Sequence, residues 1–65
     1  MNSLKETRFF KGISQHKLSH FSNVHQSRIS LIENGLVLPR EDEKEKLAKA
    51  LGVAVEEIFR EKGGE

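Results

Sequence analysis

The chain has 65 residues, contains no Cys, Trp or Tyr, and carries a formal net charge of +1. This length suits one small domain near the lower size limit for a stable core, and without Cys neither a disulfide nor a Cys-based zinc site can reinforce it. The longest apolar runs, residues 36–38 and 53–55, are far too short to cross a membrane, and the N-terminus lacks a signal-peptide core. We therefore expect a cytoplasmic protein with no membrane partner.

The charge is unevenly distributed along the chain. Residues 1–40 hold six Lys or Arg against two acidic residues, a net charge of +4, whereas residues 41–65 hold five basic and eight acidic residues, a net charge of −3. Such a split suits one half that faces a polyanion and another that keeps the protein soluble. Ordinary helical domains are often this uneven, so the split indicates no function by itself.

Glycine, proline and the Ser22-Asn23 turn divide the chain into short segments of helical length, and no segment alternates apolar and polar residues as a strand would. The first helix is predicted from about Ser3 to Lys11, with Asn2 or Ser3 as its N-cap and Gly12 as its terminator. The predicted fold class is therefore all-α with five helices. Residues 1–62 are predicted to form one domain and residues 63–65 a flexible C-terminal tail.

The second helix is predicted to begin after Ser14, a favourable N-cap residue. Leu18 and Phe21, three positions apart, are predicted to supply its buried face. Ser22-Asn23 is predicted to form a tight turn, because Asn tolerates the left-handed backbone conformation that most side chains resist.

The third helix is predicted over residues 24–34 and ends at Asn34-Gly35. Ile29 and Ile32 lie roughly 60° apart around a helix and can share one buried face. The opposite arc, roughly 140° wide at about 100° per residue, carries small polar residues and one leucine. Its members are Gln26, Ser27, Ser30 and Leu31.

Two further helices are predicted after the loop 36–40. The fourth runs from about Arg40 to Leu51, begins with the charged run 40–46, which is predicted to be a solvated face, and ends at Gly52. Its predicted buried residues are Leu47, Ala48 and Leu51. The fifth covers about residues 54–61, with Val55, Ile58 and Phe59 at the i, i+3, i+4 spacing of one helical face.

The spacing of the second and third helices is typical of a helix-turn-helix unit, in which two short helices joined by a three- or four-residue turn can place the second helix in a DNA major groove. The apolar residues that fit this geometry are Leu18, Phe21, Val24, Ile29 and Ile32. From geometry alone, an ordinary corner between two helices of a small bundle fits equally well.

Residues 14–35, SQHKLSHFSNVHQSRISLIENG, carry a more specific pattern. The residues that match it are Ser14-Gln15, Leu18, Val24, Gln26-Ser27, Ile29-Ser30, Ile32 and Glu33-Asn34-Gly35; outside this segment Arg8, Lys11-Gly12, Pro39 and residues 47–53 match as well. Over about residues 4–60 the chain resembles the Cro and phage-repressor class of helix-turn-helix regulators, also called the xenobiotic-response-element family. It departs from the family at Ser19, where Ala is usual, at Asn23, where Gly is usual, and at Ala54, where a polar cap is usual.

The resemblance implies a lambda-repressor-like DNA-binding domain that reads double-stranded DNA with helix 24–34 and regulates transcription, as a repressor, in a prokaryotic cytoplasm or a phage nucleoid. The implied base contacts are Gln26, Ser27, Ser30 and Leu31, and the implied phosphate contacts are Gln15, His25, Arg28, Asn34 and Arg40. Gln suits adenine because its amide offers one donor and one acceptor, and Leu31 can meet a thymine methyl. Without the resemblance, the preferred interpretation is that these are ordinary surface residues.

The resemblance also implies a structural ion pair between Arg8 and Glu33. A homodimer is predicted, because operators with two half-sites are read by two copies, and its possible contact residues are Val53, Val55, Ile58 and Phe59. The alternative is that Val55, Ile58 and Phe59 complete the core of a single chain. The alternative function is a protein-interaction module on the same scaffold, antitoxin-like or co-regulatory, with exposed Phe9 or the 53–59 edge as its surface.

No catalytic or cofactor site is predicted. His16 and His20 share a helical face at i, i+4, but no Cys and no third ligand accompany them, so two solvated histidines are the preferred interpretation over a zinc site. The Ser and His residues form no recognisable triad, and no glycine-rich phosphate loop is present. We therefore expect neither an enzyme nor a bound cofactor.

Overall fold

Five helices make up the part of the protein that the structure describes, as predicted. The computed structural model describes residues 2–60, in which α1 is Leu4–Lys11, α2 is Gln15–Ser22, α3 is Gln26–Glu33, α4 is Glu41–Leu51 and α5 is Val55–Ile58. This confirms the all-α class with five helices. The predicted tail 63–65 and the end of the predicted domain at residue 62 lie outside the described residues. No helix in the described part of the chain is long and apolar enough to span a membrane.

The helix ends follow the predicted capping residues closely. The Ser14 hydroxyl accepts a hydrogen bond from the Lys17 amide at 3.1 Å and so caps α2. Gly12 ends α1 with φ 71°, and Gly52 ends α4 with φ 72°, both in the left-handed region that favours glycine. Ala54 precedes α5 without any side-chain cap, which agrees with its departure from the family pattern.

One apolar core lies between the helices. α2 packs against both α3 and α4, α1 packs against α3 and α4, and α5 packs against α4. The buried apolar side chains are Leu4, Leu18, Val24, Ile29, Ile32, Leu47, Ala48, Leu51, Ile58 and Phe59. The predicted buried residues of α3 and α4 are therefore confirmed, and α3 rests on the same core as the remaining helices.

The prediction that Phe21 is buried in the core is wrong. Its side chain is 57% exposed, whereas Ser22 beside it is only 4% exposed. Ser22 lies four positions after Leu18 and therefore only about 40° from it around the helix, against about 60° for Phe21. The Ser22 hydroxyl accepts a hydrogen bond from the Val24 amide at 3.2 Å, which satisfies this small buried side chain at the end of α2.

The predicted contact between copies also needs correction. Ile58 is 1% exposed and Phe59 is 7% exposed, because both pack into the core of a single chain. Buried side chains cannot supply contact area to a second copy unless the domain rearranges. Of the four residues predicted for this contact, only Val53 and Val55 are partly exposed.

Candidate nucleic-acid interface

The connection between α2 and α3 is short and firmly held. Asn23 adopts φ 64°, the left-handed conformation predicted for the turn, and its amide donates to the Ser19 carbonyl at 2.9 Å. Val24 follows with only 5% exposure, so the turn is anchored in the core. Two helices joined in this way by residues 23–25 form the predicted helix-turn-helix unit. The predicted start of the third helix at residue 24 is wrong, because residues 24 and 25 belong to this turn and α3 begins at Gln26.

The third helix has one buried and one exposed side. Ile29 and Ile32 are fully buried, with 0% exposure, while Leu31 on the other side is 37% exposed. Gln26 and Ser27 are exposed and Ser30 is half-buried. We call the exposed side the reading face, and its residues are Gln26, Ser27, Ser30 and Leu31. Within residues 2–60 the polar side chains of the reading face form no hydrogen bond with the protein, so their donors and acceptors are available to a ligand.

A buried ion pair ties the end of α3 to α1. Arg8 donates from Nε to Glu33 Oε2 at 2.7 Å and from Nη2 to Glu33 Oε1 at 3.3 Å, and the two side chains are 7% and 2% exposed. Arg8 also donates from Nη1 to the Ile13 carbonyl at 3.0 Å. The structure thus brings the predicted structural pair together. Removal of one partner from such a buried pair costs about 3–5 kcal/mol, because the remaining charge is left uncompensated.

Gln15 joins this pair from the first turn of α2. Its Nε2 donates to Glu33 Oε1 at 2.9 Å, a contact that the sequence analysis did not anticipate. No local sequence pattern predicts the contact between Gln15 and Glu33, because the two residues are 18 positions apart. An amide nitrogen has two N–H donors, so this contact uses one of them while Glu33 holds the side chain in place.

A second ion pair ties the middle of α3 to the start of α4. Arg28 donates from Nε to Glu43 Oε2 at 2.9 Å and from Nη2 to Glu43 Oε1 at 2.6 Å. Glu43 Oε1 also accepts from the Arg40 amide at 2.9 Å. The hydrogen bonding between Arg28 and Glu43 lowers the pKa of Glu43 and raises the pKa of Arg28.

The prediction of a solvated charged face over residues 40–46 is therefore wrong at Glu43, which is only 8% exposed. Glu43 is the third residue of α4, where a Glu side chain can return to the N-cap amide in a capping box. That local signal could have been read from the sequence. The partner Arg28 could not, because it is 15 residues away, and its guanidinium, predicted to contact a phosphate, is already engaged.

The other predicted phosphate contacts lie at the ends of α3 and at the start of α4. His25 is exposed directly before α3, and Arg40 is exposed directly before α4. Asn34 is exposed directly after α3, where its Nδ2 donates to the Ser30 carbonyl at 2.9 Å. His16 and His20 are exposed on α2. In the described part of the chain, no group of three or more His, Cys, Asp or Glu side chains could hold a metal ion.

These features define a class of protein: a small all-helical domain whose helix-turn-helix unit presents an exposed polar face. A helix-turn-helix family model matches residues 10–58, and the chain belongs to this family, which is the Cro and phage-repressor type of DNA-binding domain. The family binds double-stranded DNA, so this is a DNA-binding regulator. No curated protein matches the chain.

Proposed function

We propose that this protein is a sequence-specific transcriptional regulator, a non-enzymatic repressor that occludes a promoter in the cytoplasm of a prokaryote or a phage-infected cell. The observation that carries the proposal is the reading face of α3. Its polar groups have no partner within residues 2–60, although the opposite side of the same helix is fully buried. A rigidly mounted helix with unengaged donors and acceptors suits insertion into a major groove.

The base contacts in this proposal follow from the chemistry of the reading face. The Gln26 amide can donate to N7 of adenine and accept from the N6 amino group of the same base in one bidentate contact. The hydroxyls of Ser27 and Ser30 can donate or accept at either base of a pair. Leu31 offers apolar surface to the methyl group of a thymine.

The phosphate contacts in this proposal are Gln15, His25, Asn34 and Arg40. The free N–H of Gln15 lies in the first turn of α2, where backbone N–H groups and the helix dipole also favour an anion. Contacts of this kind set the register of the protein on the duplex and carry no sequence information. Arg28 is left out of this set because the Glu43 carboxylate already compensates its charge.

The proposal includes a homodimer. Two copies on a two-fold symmetric operator place their recognition helices in successive major grooves on one side of the duplex. Leu36 and Leu38, in the loop between α3 and α4, are 70% and 89% exposed and offer apolar surface that a second copy can bury.

Selection of bound sequences from random duplex DNA at a stated salt concentration tests the proposal. A consensus with two-fold symmetry supports both sequence-specific recognition and the homodimer. Salt must be stated because phosphate contacts make affinity strongly salt-dependent. Recovery of no preferred sequence, at a salt concentration where the protein binds DNA, would contradict the proposed specificity.

Substitution of the two glutamines separates base readout from phosphate contact. We expect Gln26→Ala to cost about 1–3 kcal/mol on the selected duplex and to relax preference at one base pair. The matched variant Gln15→Ala should weaken binding to all duplexes equally, since a phosphate contact carries no sequence information. If Gln26→Ala leaves the sequence preference intact, α3 does not read bases in the proposed way.

The second candidate function is the protein-interaction module, and the exposed phenylalanines of α1 favour it. Phe9 is 65% exposed, with the Arg8 guanidinium 4.9 Å from its ring centre, and Phe10 is 86% exposed. Phe10→Ala should leave DNA binding unchanged if the regulator acts through the reading face. A loss of regulation in cells by Phe10→Ala, with DNA affinity retained in solution, would favour the protein partner.

A further inference from the structure

Arg28 lies at the border of the reading face. It precedes Leu31 by three residues, so the two side chains leave the helix about 60° apart, and it lies about 160° from Gln26 on the other side. Its side chain is 30% exposed. A cation at such a border is normally available to a DNA phosphate, because the backbone runs along both edges of the groove that the helix enters.

Glu43 occupies this cation with two hydrogen bonds. The bidentate geometry, at 2.9 and 2.6 Å, uses the Nε and Nη2 donors of the guanidinium. Glu43 is itself held by the Arg40 amide at 2.9 Å, and its side chain is 10% exposed. The Arg40 amide thus fixes the carboxylate in position independently of Arg28. The Arg28–Glu43 pair carries no net charge.

The ion pair between Lys46 and Asp42 on α4 is of a different kind. Lys46 and Asp42 lie 3.6 Å apart with side chains 50% and 64% exposed, so water screens the pair. Transfer of Arg28 to a phosphate would strand the mostly buried Glu43 carboxylate, and this penalty is absent for an exposed pair. Arg28 therefore stays with Glu43 when DNA approaches.

We propose that Glu43 sets the electrostatic part of DNA affinity: it keeps Arg28 paired, so that this arginine neutralises no phosphate. This inference rests on the proposed function. Each phosphate neutralised by a cation releases counterions and strengthens binding to every sequence alike. By removing one cation from this role, Glu43 leaves a larger share of the affinity to the reading face, where sequence is read.

The test is the salt dependence of binding to a duplex of random sequence. Fluorescence anisotropy gives the observed association constant at several salt concentrations for the wild type and Glu43→Gln. We expect the log–log slope to steepen by about 0.9 in Glu43→Gln, because the released Arg28 gains one phosphate. When the salt concentration rises from about 50 to about 200 mM, the ratio of the Glu43→Gln affinity to the wild-type affinity should therefore fall by about 3.5-fold.

Two control variants separate this effect from net charge. Glu45→Gln removes one carboxylate from the exposed side of the same helix and should keep the wild-type slope. The double variant Arg28→Gln/Glu43→Gln has the wild-type net charge and should return to the wild-type slope. A wild-type slope in folded Glu43→Gln, an equal steepening in Glu45→Gln, or a steep slope in the double variant would each overturn the inference.

A measurement on the unmodified protein decides the question even if Glu43→Gln does not fold. The Nε–H resonance of Arg28 in a ¹H–¹⁵N spectrum should keep its position when random duplex is added, because the pair persists in the complex. A large shift, with Arg28 transferred to a phosphate, would overturn the inference. Failure of the wild type to bind any duplex at low salt would instead contradict the proposed function itself.

Discussion

At the scale of single residues, Leu31 is the most informative position of the reading face. It is 37% exposed, while its neighbour Ile32 is fully buried. A single exposed leucine is common on protein surfaces and needs no explanation by itself. Its place among Gln26, Ser27 and Ser30 gives it a specific role in the proposed function, as the apolar contact to a thymine methyl group.

We expect replacement of the contacted thymine by uracil to weaken wild-type binding by about 0.8 kcal/mol, the typical value of one buried methylene-sized group. Leu31→Ala should lose a similar amount on the thymine duplex and become insensitive to the replacement. Anisotropy titrations of both proteins on both duplexes complete the double-mutant cycle. Equal sensitivity of the wild type and Leu31→Ala to uracil would exclude this contact.

Asn23 lies in the turn between α2 and α3 and adopts the left-handed conformation that this turn requires. It is the sole non-glycine residue with positive φ in the described chain. We expect Asn23→Ala to lower the free energy of unfolding by about 1 kcal/mol, because alanine resists the left-handed conformation. Asn23→Gly should be nearly neutral, since glycine adopts this conformation without steric cost. Urea unfolding measures both, and an equal loss in the two variants would contradict this cause.

At the scale of secondary structure elements, α3 depends on its neighbours for its position. A helix of eight residues is marginal in isolation, so its stability comes from packing of Ile29 and Ile32 and from links to other helices. Two ion pairs supply these links, Arg8–Glu33 toward α1 and Arg28–Glu43 toward α4. The recognition helix is thus held on both sides of its buried edge.

The Arg8–Glu33 link leads to a prediction about stability. We expect Glu33→Gln to lower the free energy of unfolding by about 3–5 kcal/mol, because Arg8 keeps a buried charge without its partner. The double variant Arg8→Met/Glu33→Leu should lose much less, since both charges are removed together. Glu41→Gln, which removes a carboxylate that is 88% exposed and 3.4 Å from Lys44, should change stability by less than about 1 kcal/mol. Urea unfolding of all three provides the test, which fails if Glu33→Gln resembles Glu41→Gln.

The Arg28–Glu43 link leads to a prediction about pH. The pKa of Glu43 lies below its ordinary value of 4.5 in the folded protein, so the unfolded chain binds a proton at this residue more readily. The pair therefore contributes its full stability above about pH 4.5 and loses it as the pH falls through the lower folded pKa. The stability difference between the wild type and Glu43→Gln should shrink over this acid range, as measured by urea unfolding in a pH series. A difference that is constant with pH would contradict the assigned cause.

At the scale of the whole molecule, charge and size together shape how DNA is bound. The net charge is only +1, and two of the six basic residues in the first 40 are engaged in ion pairs. One such domain offers few free cations and one short recognition helix. Duplication of the domain on a symmetric operator doubles both, which is the physical reason for the proposed homodimer.

We expect two chains per selected duplex, with half-sites about 10 base pairs apart. Insertion of about five base pairs between the half-sites should abolish cooperative binding, because the second half-site rotates to the opposite side of the DNA. Sedimentation measures the stoichiometry and anisotropy measures the cooperativity. One chain per duplex, with no dependence on spacing, would leave the protein as a monomeric regulator.

Local signals in the sequence account for most of the fold. Ser14, Gly12 and Gly52 act through the backbone conformation of their own neighbourhood, so the helix limits that they predict are confirmed. Ile29 and Ile32 share one face because their spacing matches the helical repeat. The exposed side of α3 follows from the same repeat, which is why the reading face could be described before its surroundings were known.

Tertiary packing decided the remaining features, each of which joins residues far apart in the chain. Helical spacing allows Leu18 to share a buried face with either Phe21 or Ser22, and only the placement of the neighbouring helices buries Ser22. Glu33 binds Gln15, and Glu43 binds Arg28, across 18 and 15 positions. The sequence by itself determined the helices, the ends set by Gly12, Ser14 and Gly52, and the exposed side of α3, because these depend on local backbone and periodicity. The partners of its charged side chains were decided only when the helices packed together, because a long charged side chain can reach any of several elements.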